Sequence, residues 1–144
     1  GHKDTLENAE LNKKLTEVFK SFFNFAFENN EKLIFLCGGY GNFDKLAADK
    51  IDKLRKQYFN ISCEKAYVTP YIGDRLNEHL IKLKYDTIIY PPIENVPLRF
   101  AIQYRNKWMI KNANYVVIHV THSWGNTVQI DKFARNQHKT VIYV

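Results

Sequence analysis

The chain has two cysteines, Cys37 and Cys63, with neither a CxxC pair nor a metal-type spacing around them. A disulfide framework is excluded, and both read as reduced, packed thiols of a cytosolic protein. No cluster of His, Cys, Asp and Glu has zinc spacing, so no metal is expected, and nothing implies a cofactor. No apolar run approaches the roughly 20 residues that span a bilayer, and the N-terminus lacks a charged-then-apolar leader. The expectation is a soluble cytoplasmic chain with no membrane partner. There is no GxSxG elbow or other nucleophile setting. Low-complexity linkers and internal repeats are also missing.

What is present amounts to one domain over 1–144, with a hydrophobic fraction of 45% that can bury a real core. The net charge of +6 favours anionic partners such as nucleotides or nucleic acid. Lys and Arg are scattered along helix faces, however, and solvated surface is the plainer reading.

Helix and strand patterns alternate along the chain. Leu11, Leu15, Val18, Phe19, Phe22 and Ala26 recur at helical spacing and predict a first helix over 6–28. An apolar strand over 33–37 follows, then a helix over 43–58 whose Phe43, Ala47, Ile51, Leu54 and Tyr58 share one face. Strands are predicted over 61–69 and 86–90, with an irregular or weakly helical stretch, 71–84, between them. Pro97 could start a helix reaching residue 112; a strand over 115–120, a helix over 125–137 and a strand over 140–144 complete the chain.

Strands separated by helices imply right-handed crossovers and a mostly parallel sheet covered on both faces. Ligands of such sheets bind where the carboxyl ends of the strands open into loops, here 1–5, 38–44, 70–74, 91–97 and 121–127. The segment 1–5 stands directly before a helix where this fold would have just left a strand. Either an initial strand precedes Gly1 or the sheet does without one.

The densest signal is the passage from Leu33-Ile34-Phe35-Leu36-Cys37 through Gly38-Gly39-Tyr40-Gly41-Asn42-Phe43-Asp44 into a helix. A glycine-rich turn there aims bare N–H groups and the positive end of a helix at one point, which suits a phosphate. It lacks the GK[ST] ending of a Walker loop. Asp44 either caps backbone donors at the helix start or contacts a sugar hydroxyl.

Taken in order, Gly1 to Thr5, the 38–44 loop, Tyr90-Pro91-Pro92-Ile93-Glu94, Phe100 to Met109 and Val120-Thr121-His122-Ser123-Trp124-Gly125 resemble the SLOG superfamily over essentially the whole chain. More narrowly, the chain is similar to the small stand-alone bacterial SLOG proteins of unknown function. The superfamily also includes the DNA-processing protein DprA and the LOG-type phosphoribohydrolases. The resemblance implies a Rossmann-like three-layer α/β/α fold and a site for a nucleotide or nucleotide derivative. In some branches that site serves N-glycosidic cleavage, in others sensing or nucleic-acid binding. It also implies self-association, commonly as a dimer. The aromatic first helix, with Phe19, Phe22, Phe23, Phe25 and Phe27, has more apolar faces than one core contact requires.

Residue by residue, Gly38, Gly39 and Gly41, with Tyr40 between them, match the family's first glycine-rich loop, and Asp44 its loop acid. Arg105 and Asn106 match an Arg-Asn pair placed by the cleft. Arg offers a planar fork for a phosphate, and Asn can donate and accept to a base or ribose; a helix-surface salt bridge and a cap are the alternatives. The 121–127 loop matches a later glycine-rich motif. There the Ser123 and Thr127 hydroxyls with the Gly125 and Asn126 amides could bind a second phosphate, and Trp124 offers a stacking face. Ser123 reads equally as an N-cap and Trp124 as a packed residue. His122 reads as a surface residue unless its loop gives it a role as a base. His2, in the first loop, could line the cleft.

The chain departs from the phosphoribohydrolases where their second loop carries a catalytic glutamate, since Gly125-Asn126-Thr127-Val128-Gln129 supplies no carboxylate. Glu94, or else Asp44, is the replacement candidate, and an exposed loop acid or cap is the simpler account of Glu94. The first expectation is therefore a module that captures a nucleotide-like small molecule between the 38–44 and 121–127 loops. The alternatives are an N-glycosidic hydrolase of nucleoside monophosphates and a DprA-like binder of single-stranded DNA, the latter without a clear basic stripe.

Overall fold

A computed structural model describes residues 2–39, 41–71, 81–120 and 125–144, with side chains from residue 8 onward. It is a mixed α/β structure with short parallel sheets. Contacts divide the chain into two units, residues 1–65 and 66–144.

The first unit contains helix α1 (His2–Asn29), strand β1 (Leu33–Cys37), helix α2 (Gly41–Gln57) and the start of strand β2 (Cys63–Val68). On α1, Leu15, Phe19, Phe23 and Ala26 are buried, spaced so that one stripe faces inward. Phe35 of β1 meets Phe19 and Phe23 at ring-centroid distances of 5.0 and 6.0 Å, and Phe23 stacks on Tyr58 at 5.1 Å. Ala48, Ile51 and Leu54 bring the apolar face of α2 into the same core. Phe25 and Phe27 point elsewhere and are 49% and 63% exposed.

Two expected boundaries move. The first helix starts at His2 and not at residue 6, so the segment 1–5 is not a loop: from His2 onward its backbone is helical. No glycine or proline lies between His2 and Leu6 to stop the helix. The second helix starts at Gly41, two residues early, and Asp44 lies in its first turn.

A charge the periodicity passed over ties β2 to α2. Lys65 is 1% exposed, and its ammonium donates to both carboxylate oxygens of Asp52 at 2.9 Å. Arg55 adds a bond from Nη2 to the Cys63 carbonyl at 2.9 Å.

In the second unit the later half of β2 pairs in parallel with β3 (Thr87–Ile89), Ala66 opposite Thr87 and Val68 opposite Ile89. A 3-10 turn (Leu98–Phe100) leads into α3 (Ala101–Lys111). Pro97 therefore opens a 3-10 turn, its carbonyl accepting from Phe100 N at 2.9 Å, and the α-helix waits until Ala101. Strand β4 (Tyr115–Ile118) pairs in parallel with β5 (Thr140–Tyr143), joined through α4 (Asn126–Asn136). Helix α3 packs on α4, and α4 packs on β4 and β5. No described helix is long and apolar enough to cross a membrane.

Lys65 is buried while Asp52 is 47% exposed, so removing the carboxylate takes an ion-pair partner from a desolvated ammonium. Asp52→Leu is expected to cost roughly 1–3 kcal/mol, and Asp52→Leu with Lys65→Met to recover most of it. Urea unfolding of both variants checks this; a double variant as unstable as the single would show that the pair contributes through packing instead.

Candidate functional site

At the first turn, β1 ends on buried Cys37 and the chain turns through Gly38, also buried, and Gly39, whose φ is 75°. Tyr40 lies outside the described residues. Gly41 has φ 86°, and a Cβ built on it would meet nothing within 4 Å. That backbone conformation suits glycine, and the open space leaves the N–H groups of the helix start unshielded by any side chain at this position. Asp44, half-buried, sits in the first turn of α2, where a carboxylate complements the helix dipole.

The second turn repeats the device. Gly125 is the N-cap of α4 with φ 102°, exposed, again with nothing within 4 Å of a built Cβ. Asn126 is the first helical residue and Thr127 the second; no side chain supplies a cap bond. His122, Ser123 and Trp124 lie outside the described residues, as does the side chain of His2. Glu94 is exposed in a turn closed by bonds from Ile93 N to the Pro91 carbonyl and from Val96 N to the Ile93 carbonyl.

Arg105 is not on a helix surface. It is 2% exposed, and Nη1 donates to the Val68 carbonyl, the last residue of β2, at 2.8 Å. Its Nε donates to Asn106 Oδ1 at 2.9 Å. The guanidinium thus anchors α3 to the carboxyl end of β2, and two of its donor positions are committed to the protein. Its burial, at 2% exposure, sets the guanidinium toward the protein and away from solvent.

Asn106 also lines a groove between α3 and α4, about 30 Å³ in volume, with Gln103, Asn126 and Gln129 at its rim and Ile110 and Phe133 among its apolar walls. The Lys107 ammonium lies 5.5 Å from the Phe133 ring centre and 5.7 Å from that of Tyr104. The groove has room for about one water-sized group, far below the several hundred Å³ of a ligand pocket. The second unit therefore brings Arg105, Asn106 and Asn126 together. No family model matches the chain, and no curated protein matches it significantly.

Sequence reasoning missed the Lys65–Asp52 pair, although a lysine inside the apolar 61–69 run was a signal. Cys37 is a free, buried thiol, as its place at the end of an apolar strand led one to expect. Burial pushes that thiol up to about 12, outweighing the lowering by nearby Lys65. Cys37 is thus a protonated, inert neighbour of the glycine turn.

Two predictions follow from these geometries. Folded Cys37 keeps its proton where an unfolded thiol, near 9.0, has lost it, so its contribution to stability is full below pH 9 and falls as pH rises from 9 toward 12. Thermal melts across that window should show a decline that Cys37→Ala reduces; identical slopes would refute it. Arg105→Met, which removes both charge-assisted bonds, is expected to lower stability by roughly 2–4 kcal/mol, measured by chemical unfolding, whereas a fully surface-exposed arginine would lose less than 1 kcal/mol.

Proposed function

We propose that the chain is a SLOG-type protein with a Rossmann-like α/β/α arrangement that binds a nucleotide or nucleotide derivative, with phosphate groups received at glycine-opened helix starts. One repeated observation carries this reading. Gly41 and Gly125 each begin a helix in a left-handed conformation, with open space where a side chain would project. Helix starts of that kind combine unshielded N–H donors with the positive end of the helix dipole. Parallel pairing of β2 with β3 and of β4 with β5 supports the wound fold, because parallel neighbours need crossover connections. The net charge of +6 agrees in sign with an anionic ligand.

Calorimetric titration with nucleoside mono- and diphosphates, nucleotide sugars and cyclic dinucleotides tests the reading. At least one class should bind, and Gly41→Ala and Gly125→Ala should each weaken it about tenfold or more. An added methyl meets no protein atom at either position, so the variants pay only backbone strain, roughly 1–2 kcal/mol each. Silence across the panel, or binding indifferent to both substitutions, would sink the proposal.

A further inference from the structure

From Asn95 to Ile130 the sequence holds Arg99, Arg105, Lys107 and Lys111 and no Asp or Glu. Arg105 is committed inside the protein. The other three stand on the 3-10 turn and α3, among side chains that ordinarily avoid water: Leu98 is 76% exposed, Tyr104 47% and Phe100 39%. Tyr104 comes four residues after Phe100 and Lys107 three after Tyr104, the spacing of neighbours on one helix face. Apolar and cationic groups therefore share an edge.

Two of these cations are held by rings and not by carboxylates. Arg99 Cζ lies 4.8 Å from the Phe100 ring centre, and Lys107 Nζ lies 5.7 Å from that of Tyr104 and 5.5 Å from that of Phe133 on α4. Neither makes an ion pair or a side-chain hydrogen bond among the described residues. A ring attracts the charge without supplying an oxygen, so the donors of both groups are left to an outside acceptor. The acids that bound this stretch in sequence do not neutralise it. Glu94 makes no ion pair among the described residues, and Asp131 is engaged by Tyr143 and Arg135. At the far end of α3 a further cation arrives, the Lys139 ammonium 3.3 Å from the Lys111 carbonyl.

We infer that the edge formed by Leu98–Phe100 and α3 is a docking surface for an acidic peptide segment of a partner protein, whose carboxylates engage Arg99 and Lys107 and whose apolar side chains cover Leu98 and Phe100. Arg and aromatic side chains are what protein interfaces concentrate. A nucleic acid would bring phosphates to the same cations, but single strands bind by stacking bases on open ring faces. Here Phe100 and Tyr104 already carry the protein's own cations, and a phosphate backbone offers nothing apolar to Leu98. The spacing also restricts the partner. Phe100 and Lys107 are separated by about 10 Å along a helix, which places the two carboxylates about three residues apart in an extended segment or about seven apart on a helix. Neither Gly41 nor Gly125 contributes to this surface.

The whole chain is titrated, by fluorescence anisotropy, with two short labelled peptides of glutamate, leucine and alanine. One is extended with a glutamate at every third position, the other helical with glutamates seven apart, and each has a counterpart with glutamine for glutamate. At least one acidic peptide should bind, its glutamine counterpart should not, and added salt should weaken the complex. Arg99→Gln, Lys107→Gln and Leu98→Ser should each lower the affinity about fivefold or more, with melting temperatures close to that of the unaltered chain. Arg99→Lys should lower it too, because it keeps the charge and loses the planar fork.

Lys84→Gln, at an exposed lysine of the turn before β3, should bind as the unaltered chain does. An equal loss there would reduce the effect to net charge and overturn the assignment. Silence of both acidic peptides, or binding indifferent to Arg99→Gln and Lys107→Gln, overturns it as well. So does an oligothymidylate that binds more tightly than either peptide and is released by the same substitutions, which would give the surface to a nucleic acid. A concentration-dependent rise in mass that Leu98→Ser abolishes would give it instead to a second copy of this chain, and the peptide assignment would fall.

Discussion

Burying a guanidinium forces the surrounding chain to supply oxygens, because the group donates and cannot accept. In this protein the requirement is met by the carbonyl that ends β2 and by the neighbouring side-chain amide of α3. The first bond fixes α3 against the carboxyl end of a strand, and the second holds the Asn106 oxygen against the guanidinium. One desolvated cation therefore sets both a packing relation and the orientation of its neighbour's amide. Hydrogen bonds to charged groups are worth about 1.5–3 kcal/mol, well above the strength needed to choose between two orientations of an amide.

Donors presented by the backbone follow a different constraint. At Gly41 and Gly125 the direction of the chain, not a partner, exposes the N–H groups: a left-handed residue turns the strand into a helix without placing a side chain over the helix start. Lys65 shows the opposite use of a buried cation. Its ammonium is chelated by Asp52 and holds α2 to β2.

The secondary elements were largely legible in the residues because their apolar periods are strong: Leu15, Phe19 and Ala26 on α1, and Ile51 and Leu54 on α2, are buried as spacing required. Their ends were less legible. A helix runs on until something stops it, so α1 reached back to His2 through residues that carry no breaker. Gly41 was read as loop, yet a single glycine can be both the last turn residue and the start of the helix, which drew Asp44 inside. The Arg105 and Asn106 side chains bond to each other, but a pattern cannot say whether a guanidinium faces ligand or protein. That depends on the Val68 carbonyl, 37 positions away in sequence.

Burial and helix position set the state of the groups beside the first turn. The group near the first turn that burial shifts most, Cys37, is shifted toward its neutral thiol, away from the form that acts as a nucleophile. Asp44 sits in the first turn of α2, where a carboxylate complements the helix dipole. Around Asn106 the groove is lined by the carboxamides of Gln103, Asn126 and Gln129, which hydrogen-bond without titrating, and by the Lys107 ammonium, which donates and cannot accept.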